Sequence, residues 1–483
     1  MKHIHLLFIL LSVTLLAEYS AAAPDGETII TFTSGDSDSK GQQVSAYAGQ
    51  FVVTENRSAE SSRKIKLHYV RFPSTSQNPG PPIVYLAGGP GGSGISTAEN
   101  RRYGLFMALR EVADVIALDQ RGTGQSNDLP HCESNQFLPQ DQAIDDDAYI
   151  RLNQVALAEC LTYWQQKGVD LKAYNTLESV NDLDDLRQHL GAEKISLWGI
   201  SYGSHLALAA IKTRPQILHK VMIASAEGLA QTIKYPARTD AYFQRLNSYL
   251  NSHKEDPFDY LKLMRQVHQQ LDQQPMRLEW QNDQQQTIRY HLQSRDMKQL
   301  ASAMISDPGR AQQLLQLYHA LQAGIHMPVQ NIIQRYMSPE QPIGFHPMST
   351  AMDLASGISP ERLKIIEEQS QSSLLGGYLN FSLYFTKLAE QHHLDLDESF
   401  RSLPVSDIPT LLISGTLDGR TYIESQLEAT DGLSNRQTIK VINGGHNLFK
   451  SSPLVIKNML LFMQDQVITD PVINTNPLGF TPD

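Results

Sequence analysis

Short apolar runs without alternation punctuate the first half of the chain: "IVYLA" from Ile83, "ADVIALD" from Ala113, "KISLWG" from Lys194 and "KVMIASA" from Lys220. Runs of this length, with their β-branched residues, fit strands covered on both faces. Between them the period becomes helical. In "TLESVNDLDDLRQHLG", Leu177, Val180, Leu183, Leu186 and Leu190 fall on one stripe, and Gly191 stands where a helix C-cap belongs. Strands and helices in this alternation predict a parallel sheet with helices on its faces. Upstream, "AGQFVVTE" and "KIKLHYVRF" alternate apolar and polar positions and read as further strands, followed by the loop "PSTSQNPGPP".

From about residue 236 to 402 the texture is helical and rich in Gln, Leu and His, as in "DPFDYLKLMRQVHQQL" and "RAQQLLQLYHALQAG", with a small hairpin expected around 279–293. Sheet texture returns in "IPTLLISGT" and "QTIKVINGG", and "PLVIKNMLLFMQDQV" makes a last helix. The pattern predicts a core in two parts, 23–235 and 403–470, with a helical cap, 236–402, inserted between them. Residues 471–483, rich in Pro and Asn, read as a flexible tail.

Composition narrows the function classes. A net charge of -11 with no dense Lys/Arg cluster gives no electrostatic footprint for nucleic acid. At the N-terminus, Lys2, the run "IHLLFILLSVTLLA" and "EYSAAAP" have the layout of a signal peptide, residues 1–22, cleaved after Ala22. An uncleaved membrane anchor is the other reading of that run. Cleavage makes the mature protein exported, periplasmic or secreted, with no stable membrane insertion. The two cysteines, Cys132 and Cys160, are suited in an oxidising compartment to a disulfide closing a loop of about 28 residues; two free buried thiols are the alternative.

The candidate chemistry centres on "GISYG". Gly-x-Ser-x-Gly here follows a predicted strand and precedes the predicted helix "SHLALAAIKT", the setting of a tight turn that lifts Ser201 out of the sheet. The Tyr202 amide then lies at a helix N-terminus, where it can stabilise an oxyanion. A nucleophilic serine needs a base and an orienting carboxylate, in the chain order Ser, acid, His for this kind of sheet. Asp418 follows the strand "TLLISG" and His446 follows "IKVINGG", both at strand C-termini. His205 belongs to the helix after Ser201, and the His392–His393 pair reads as a solvated helix end, not a metal site. "YLAGGPGGSG" offers a nest of backbone donors; it lacks the Lys-Ser/Thr ending of a phosphate-binding loop.

Taken together, "GGPGGSG" at 88–94, "DQRGTGQS" at 119–126, "GISYG" at 199–203, "GTLD" at 415–418 and "GGH" at 444–446 resemble the α/β-hydrolase serine peptidases of the prolyl aminopeptidase group, in particular their secreted, tripeptidyl-aminopeptidase-like branch. The resemblance spans roughly residues 45–235 and 405–465. It implies the α/β-hydrolase fold, a mostly parallel central sheet with a helical cap between the nucleophile and acid segments. It further implies Ser201 as nucleophile, Asp418 as acid, His446 as base, an oxyanion hole from the Gly89 and Tyr202 amides, and a cis Gly89–Pro90 bond. Asp119 and Arg121 would brace the neighbouring loop, and a Cys132–Cys160 pairing fits the secreted branch. Two departures stand out: Ala87 replaces the His of the smaller iminopeptidases, and "SAEGLAQTIKYP" replaces a short turn. That second segment offers Glu227 as an anchor for a substrate ammonium, or equally as a loop brace.

The expected activity is an exported serine aminopeptidase that hydrolyses short peptides from the free N-terminus through an acyl-enzyme, with no metal and no cofactor. A carboxylesterase or lipase-like hydrolase on the same triad is the alternative. An inactive hydrolase fold used as a binding module is a third reading.

Overall fold

In this computed structural model the described residues are 26–252, 255–336 and 339–476, so the expected signal segment lies outside them. The first strands are β1 (Thr28–Thr33), β2 (Gln43–Thr54), β3 (Lys64–Phe72), β4 (Gly80–Leu86), β5 (Ala113–Leu118), β6 (Cys132–Phe137), β7 (Ile195–Ser201) and β8 (Leu218–Ala226). The remainder are β9 (Met276–Gln281), β10 (Thr287–Leu292), β11 (Pro342–Phe345), β12 (Thr410–Gly415), β13 (Arg436–Ile442) and β14 (Val472–Asn474). Ten of them form one sheet in the order β1-β2-β3-β5-β4-β7-β8-β12-β13-β14. Pairing is antiparallel from β1 through β3 to β5 and parallel from β5 onward.

The continuous apolar runs are the central strands, and their two-residue period separates two cores. Val84, Leu86, Ile116, Leu118, Leu197 and Ile223 point to one face, against the helices Asp146–Gln166, Thr176–His189 and Tyr202–Thr213. Ile83, Tyr85, Val115, Ala117, Trp198 and Met222 point to the other, against Tyr103–Leu109 and Pro453–Met463. The Val180, Leu183 and Leu186 stripe is buried as its spacing predicts, and Gly191 caps its helix at φ 64°.

The segment between β8 and β12 has a core of its own. Tyr242, Phe243, Leu263, Met297, Leu314 and Tyr318 belong to it, and it reaches down to Leu417 and Tyr422 on either side of Asp418. The expected hairpin is present as β9 and β10. Sequence reading missed β6 and β11, which pair antiparallel and tie a core excursion to the cap. The tail also departs from expectation. Residues 472–474 add a parallel edge strand to β13 because Ile473, at 1% exposure, completes the second core; residues 477–483 of that segment lie outside the described ones.

Cys132 and Cys160 form a disulfide between β6 and the helix Asp146–Gln166, closing 28 residues. Replacing both by alanine is expected to lower unfolding stability by about 3 kcal/mol through the freed denatured chain. Urea unfolding of the two forms under non-reducing conditions checks this.

Candidate active site

Ser201 ends β7 with φ 55° and ψ -128°, a strained backbone for a residue carrying a Cβ, and the helix Tyr202–Thr213 begins at the next residue. The flanking glycines are sterically required. A Cβ on Gly203 would stand 2.0 Å from the Leu86 carbonyl oxygen, and one on Gly199 would stand 2.5 Å from the Gly203 carbonyl oxygen. The Ser204 hydroxyl donates to the Ser201 carbonyl and closes the turn. The glycine-rich loop runs alongside: a Cβ on Gly88 would lie 3.0 Å from that of Ser201. Gly89 follows at φ 133°, and the Gly89–Pro90 peptide is cis. This puts backbone on one side of Ser201 and a helix N-terminus, with its partial positive charge, on the other.

Asp119 and Arg121 hold the next loop. Asp119 accepts from the Ser93 hydroxyl at 2.6 Å and from the Ile95 and Gln125 amides at 3.1 and 2.8 Å, joining loop 88–94 to loop 119–126. Arg121 makes a two-pronged contact with Asp182, both bonds 2.7 Å, and donates to the Glu55 carbonyl at 2.6 Å.

Asp418, fully buried, lies beyond the end of β12. Its Oδ1 accepts from the Arg420 and Thr421 amides at 2.8 and 2.9 Å, and its Oδ2 accepts from the Thr421 hydroxyl at 2.8 Å. The His446 Nδ1 stands 3.0 Å from both carboxylate oxygens. Burial works to raise the Asp418 carboxyl, but His446 and these donors outweigh it and hold it below its ordinary range. Engaging Nδ1 leaves Nε2 as the basic nitrogen. The glycines before His446 are again steric, since a Cβ on Gly445 would meet Asp307 Oδ1 at 2.5 Å.

His446 is placed by backbone contacts from both sides. Its amide donates to the Ser306 carbonyl of the cap at 2.8 Å, and its carbonyl accepts from the Ser225 hydroxyl at 2.8 Å. Ser225 precedes Ala226, the register partner of Ser201, so the His446 loop is anchored one strand from the serine. No hydrogen bond joins Ser201 Oγ to the His446 ring among the described residues, as is common before substrate binds. His205 is buried in its helix with Nδ1 3.3 Å from the Gly228 carbonyl, and His392 and His393 are exposed.

Glu227 sits just past β8, its amide donating to the Ser204 hydroxyl at 2.9 Å. Its carboxylate faces the Lys234 ammonium at 3.6 Å. No signal in the sequence points to the cap residue that joins this group. Asp353, on the cap helix Pro347–Ser356, keeps exposed surface although protein surrounds its carboxyl closely enough to disfavour its charge. Burial first, then neighbouring Glu227, pushes the Asp353 carboxyl up to about 7 against the pull of Lys234 and Arg420. Burial pushes the Lys234 ammonium down, with Glu227 opposing. Arg420 and Thr421 were legible in principle, because they follow the acid directly in "LDGRT".

A carboxyl raised on folding weakens the fold above its unfolded pKa near 3.8, and the cost is complete above about 7. Asp353→Asn is therefore expected to raise Tm at pH 8, with the gain shrinking as pH falls towards 4; thermal melts across that range would show a flat difference if Asp353 were not raised.

Among known proteins, the α/β-hydrolase-fold family matches residues 81–298. Serine protease Hip1 of Mycobacterium tuberculosis is 27% identical over 190 residues, 38% of this chain and 36% of that protein. A probable proline iminopeptidase of Streptomyces coelicolor is 31% identical over 150 residues, 31% of this chain and 34% of that protein. A tripeptidyl aminopeptidase of Streptomyces lividans is 23% identical over 171 residues, covering 34% and 30%. The matched stretch thus spans about a third of the length of these relatives. Among the described residues, no helix is long and apolar enough to cross a membrane, and no cluster of three or more His, Cys, Asp or Glu could hold a metal ion. With its sheet order, its serine at the strand-to-helix turn after β7 and its family match, this chain has the α/β-hydrolase fold.

Proposed function

We propose that this protein is an exported serine aminopeptidase acting on short peptides with a free N-terminus. The observation that carries the proposal is the Asp418–His446 pair, with both oxygens 3.0 Å from Nδ1, anchored one strand from a serine in a strained strand-to-helix turn. His446 Nε2 takes the Ser201 hydroxyl proton as Oγ attacks the scissile carbonyl carbon. The oxyanion is received by the Gly89 and Tyr202 amides. The C–N bond then breaks, His446 returns the proton to the leaving amine, and water repeats the sequence on the acyl-enzyme.

Peptide rather than ester substrates are favoured by the carboxylates Glu227 and Asp353, which influence each other across the core–cap boundary. Such a pair suits a substrate ammonium. The Lys234 ammonium also faces Glu227, at 3.6 Å. Peptidase-named relatives support the same reading, and the N-terminal sequence together with the disulfide supports export.

The mature chain is expected to hydrolyse Pro-, Ala- or Ala-Ala-Pro-naphthylamides, N-acetylation to abolish turnover, and Ser201→Ala to lower it by at least a thousandfold. Hydrolysis of p-nitrophenyl butyrate alone would replace this reading with an esterase. Thr421→Val removes one donor to Asp418 and is expected to lower kcat about tenfold or more with KM nearly unchanged. An unchanged kcat would show that Thr421 does not position the acid.

A further inference from the structure

Between the cap and the core residues Tyr149 and Asn153 lies a recess that the mechanism does not use. It is an open cavity of about 860 Å³ between the helices Ser294–Met304, Pro308–Gln322 and Met327–Tyr336 and the strand β11. That volume falls within the roughly 300–1,000 Å³ typical of ligand pockets. The charged groups on its wall are Arg310, Arg335 and Asp296. Asp296 is committed, because it accepts from the Tyr290 hydroxyl at 2.9 Å and the Gln293 amide at 2.7 Å. The two arginines outnumber Asp296 on this wall, in a chain of net charge -11. Arg310 is exposed to it and makes no ion pair or hydrogen bond among the described residues.

The neutral lining indicates what the cations hold. Gln313, Asn331 and Gln341, all exposed, line it together with apolar residues such as Ile332 and Met304. A carboxamide offers both donor and acceptor, matching the N–H and C=O of a peptide. A guanidinium matches a carboxylate through two parallel hydrogen bonds. Arginines with carboxamides suit the carboxylate end of a peptide better than a ligand made only of acceptors, such as a phosphate.

Two of the lining segments continue into contacts beside the reacting groups. Met304 lines the recess, and two residues later the Ser306 carbonyl accepts from the His446 amide. Gly344 also lines the recess, and the chain continues into the helix Pro347–Ser356, where Ser349 lies 3.7 Å from where a Cβ on Gly91 would stand. One segment thus reaches the His446 backbone two residues beyond the recess, and the other reaches the loop beside Ser201 five residues beyond it.

We infer that this cavity binds the free C-terminal carboxylate of the peptide substrate, with Arg310 as its cationic contact. The inference rests on the aminopeptidase reading and adds to it a preference for short peptides with a free carboxylate over amidated ones.

The test uses the full mature chain carrying Ser201→Ala and the peptide Ala-Ala-Pro-Ala-Ala as free acid and as C-terminal amide, with affinity read by calorimetry. The acid is expected to bind at least tenfold more tightly, and adding Arg310→Gln to cut that ratio below threefold, with Arg310→Lys restoring part of it. Equal affinities in Ser201→Ala, or no binding of either peptide, would overturn the inference, as would a ratio untouched by Arg310→Gln in a variant with unchanged Tm. Wild-type turnover of naphthylamides separates the two readings. Turnover without a preference for the acid sinks the cavity assignment alone, whereas acid preference without turnover sinks the aminopeptidase reading alone.

Discussion

The site depends on one backbone crossing in which no side chain fits. The carbonyl of Leu86, at the end of β4, points at Gly203, and the carbonyl of Gly203 points at Gly199. Because strand, turn and helix meet at these distances, Ser201 is forced out of the sheet at positive φ, with the first turn of the helix beneath it. The glycine-rich loop can then pass beside the serine only as bare backbone, as Gly88 shows. The geometry is a packing result before it is a chemical one: any side chain at Gly199 or Gly203 would have to move the strand or the helix.

Around this crossing the protein holds two carboxyls in opposite directions. Asp418 has no solvent contact but is surrounded by amide and hydroxyl donors and by His446, which keep it charged. Asp353 keeps exposed surface, but protein and Glu227 disfavour its charge, and it is pushed up to about 7. Environment, not residue type, separates the two, as in other sites where paired carboxyls do different work. The same contrast explains why Lys234 and Arg420 sit where they do, since without cations the Glu227–Asp353 pair would be left uncompensated in low dielectric.

Much of this was legible in the sequence because it is local. The runs at Ile83, Ala113, Ile195 and Val221 are sheet strands, and Gly191 ends its helix as a C-cap should. Asp418 and His446 were found from position alone, each after the end of a predicted strand, and the structure joins them. What escaped was long-range. The segment "CESNQF" is too polar to announce β6, and its partner β11 lies beyond the cap helices. The edge strand β14 rests on the burial of Ile473 in an otherwise polar tail. Asp353 comes from a cap helix with nothing in its spacing to mark it, and only the folded chain brings it to Glu227.

The sheet closes across the cap. Strand β12 pairs with β8, although the whole insertion separates them in the chain, and the cap's own core is completed by Leu417 and Tyr422, which belong to the second core segment. Neither layer can finish without the last stretch of sequence, which also carries Asp418 and His446. The β8–β12 pairing is therefore non-local, of the kind that forms slowly, and the carboxylate–imidazole pair belongs to the segment that makes it. A chain still emerging, or one cut after the cap, carries Ser201 without the segment that brings Asp418 and His446 to it.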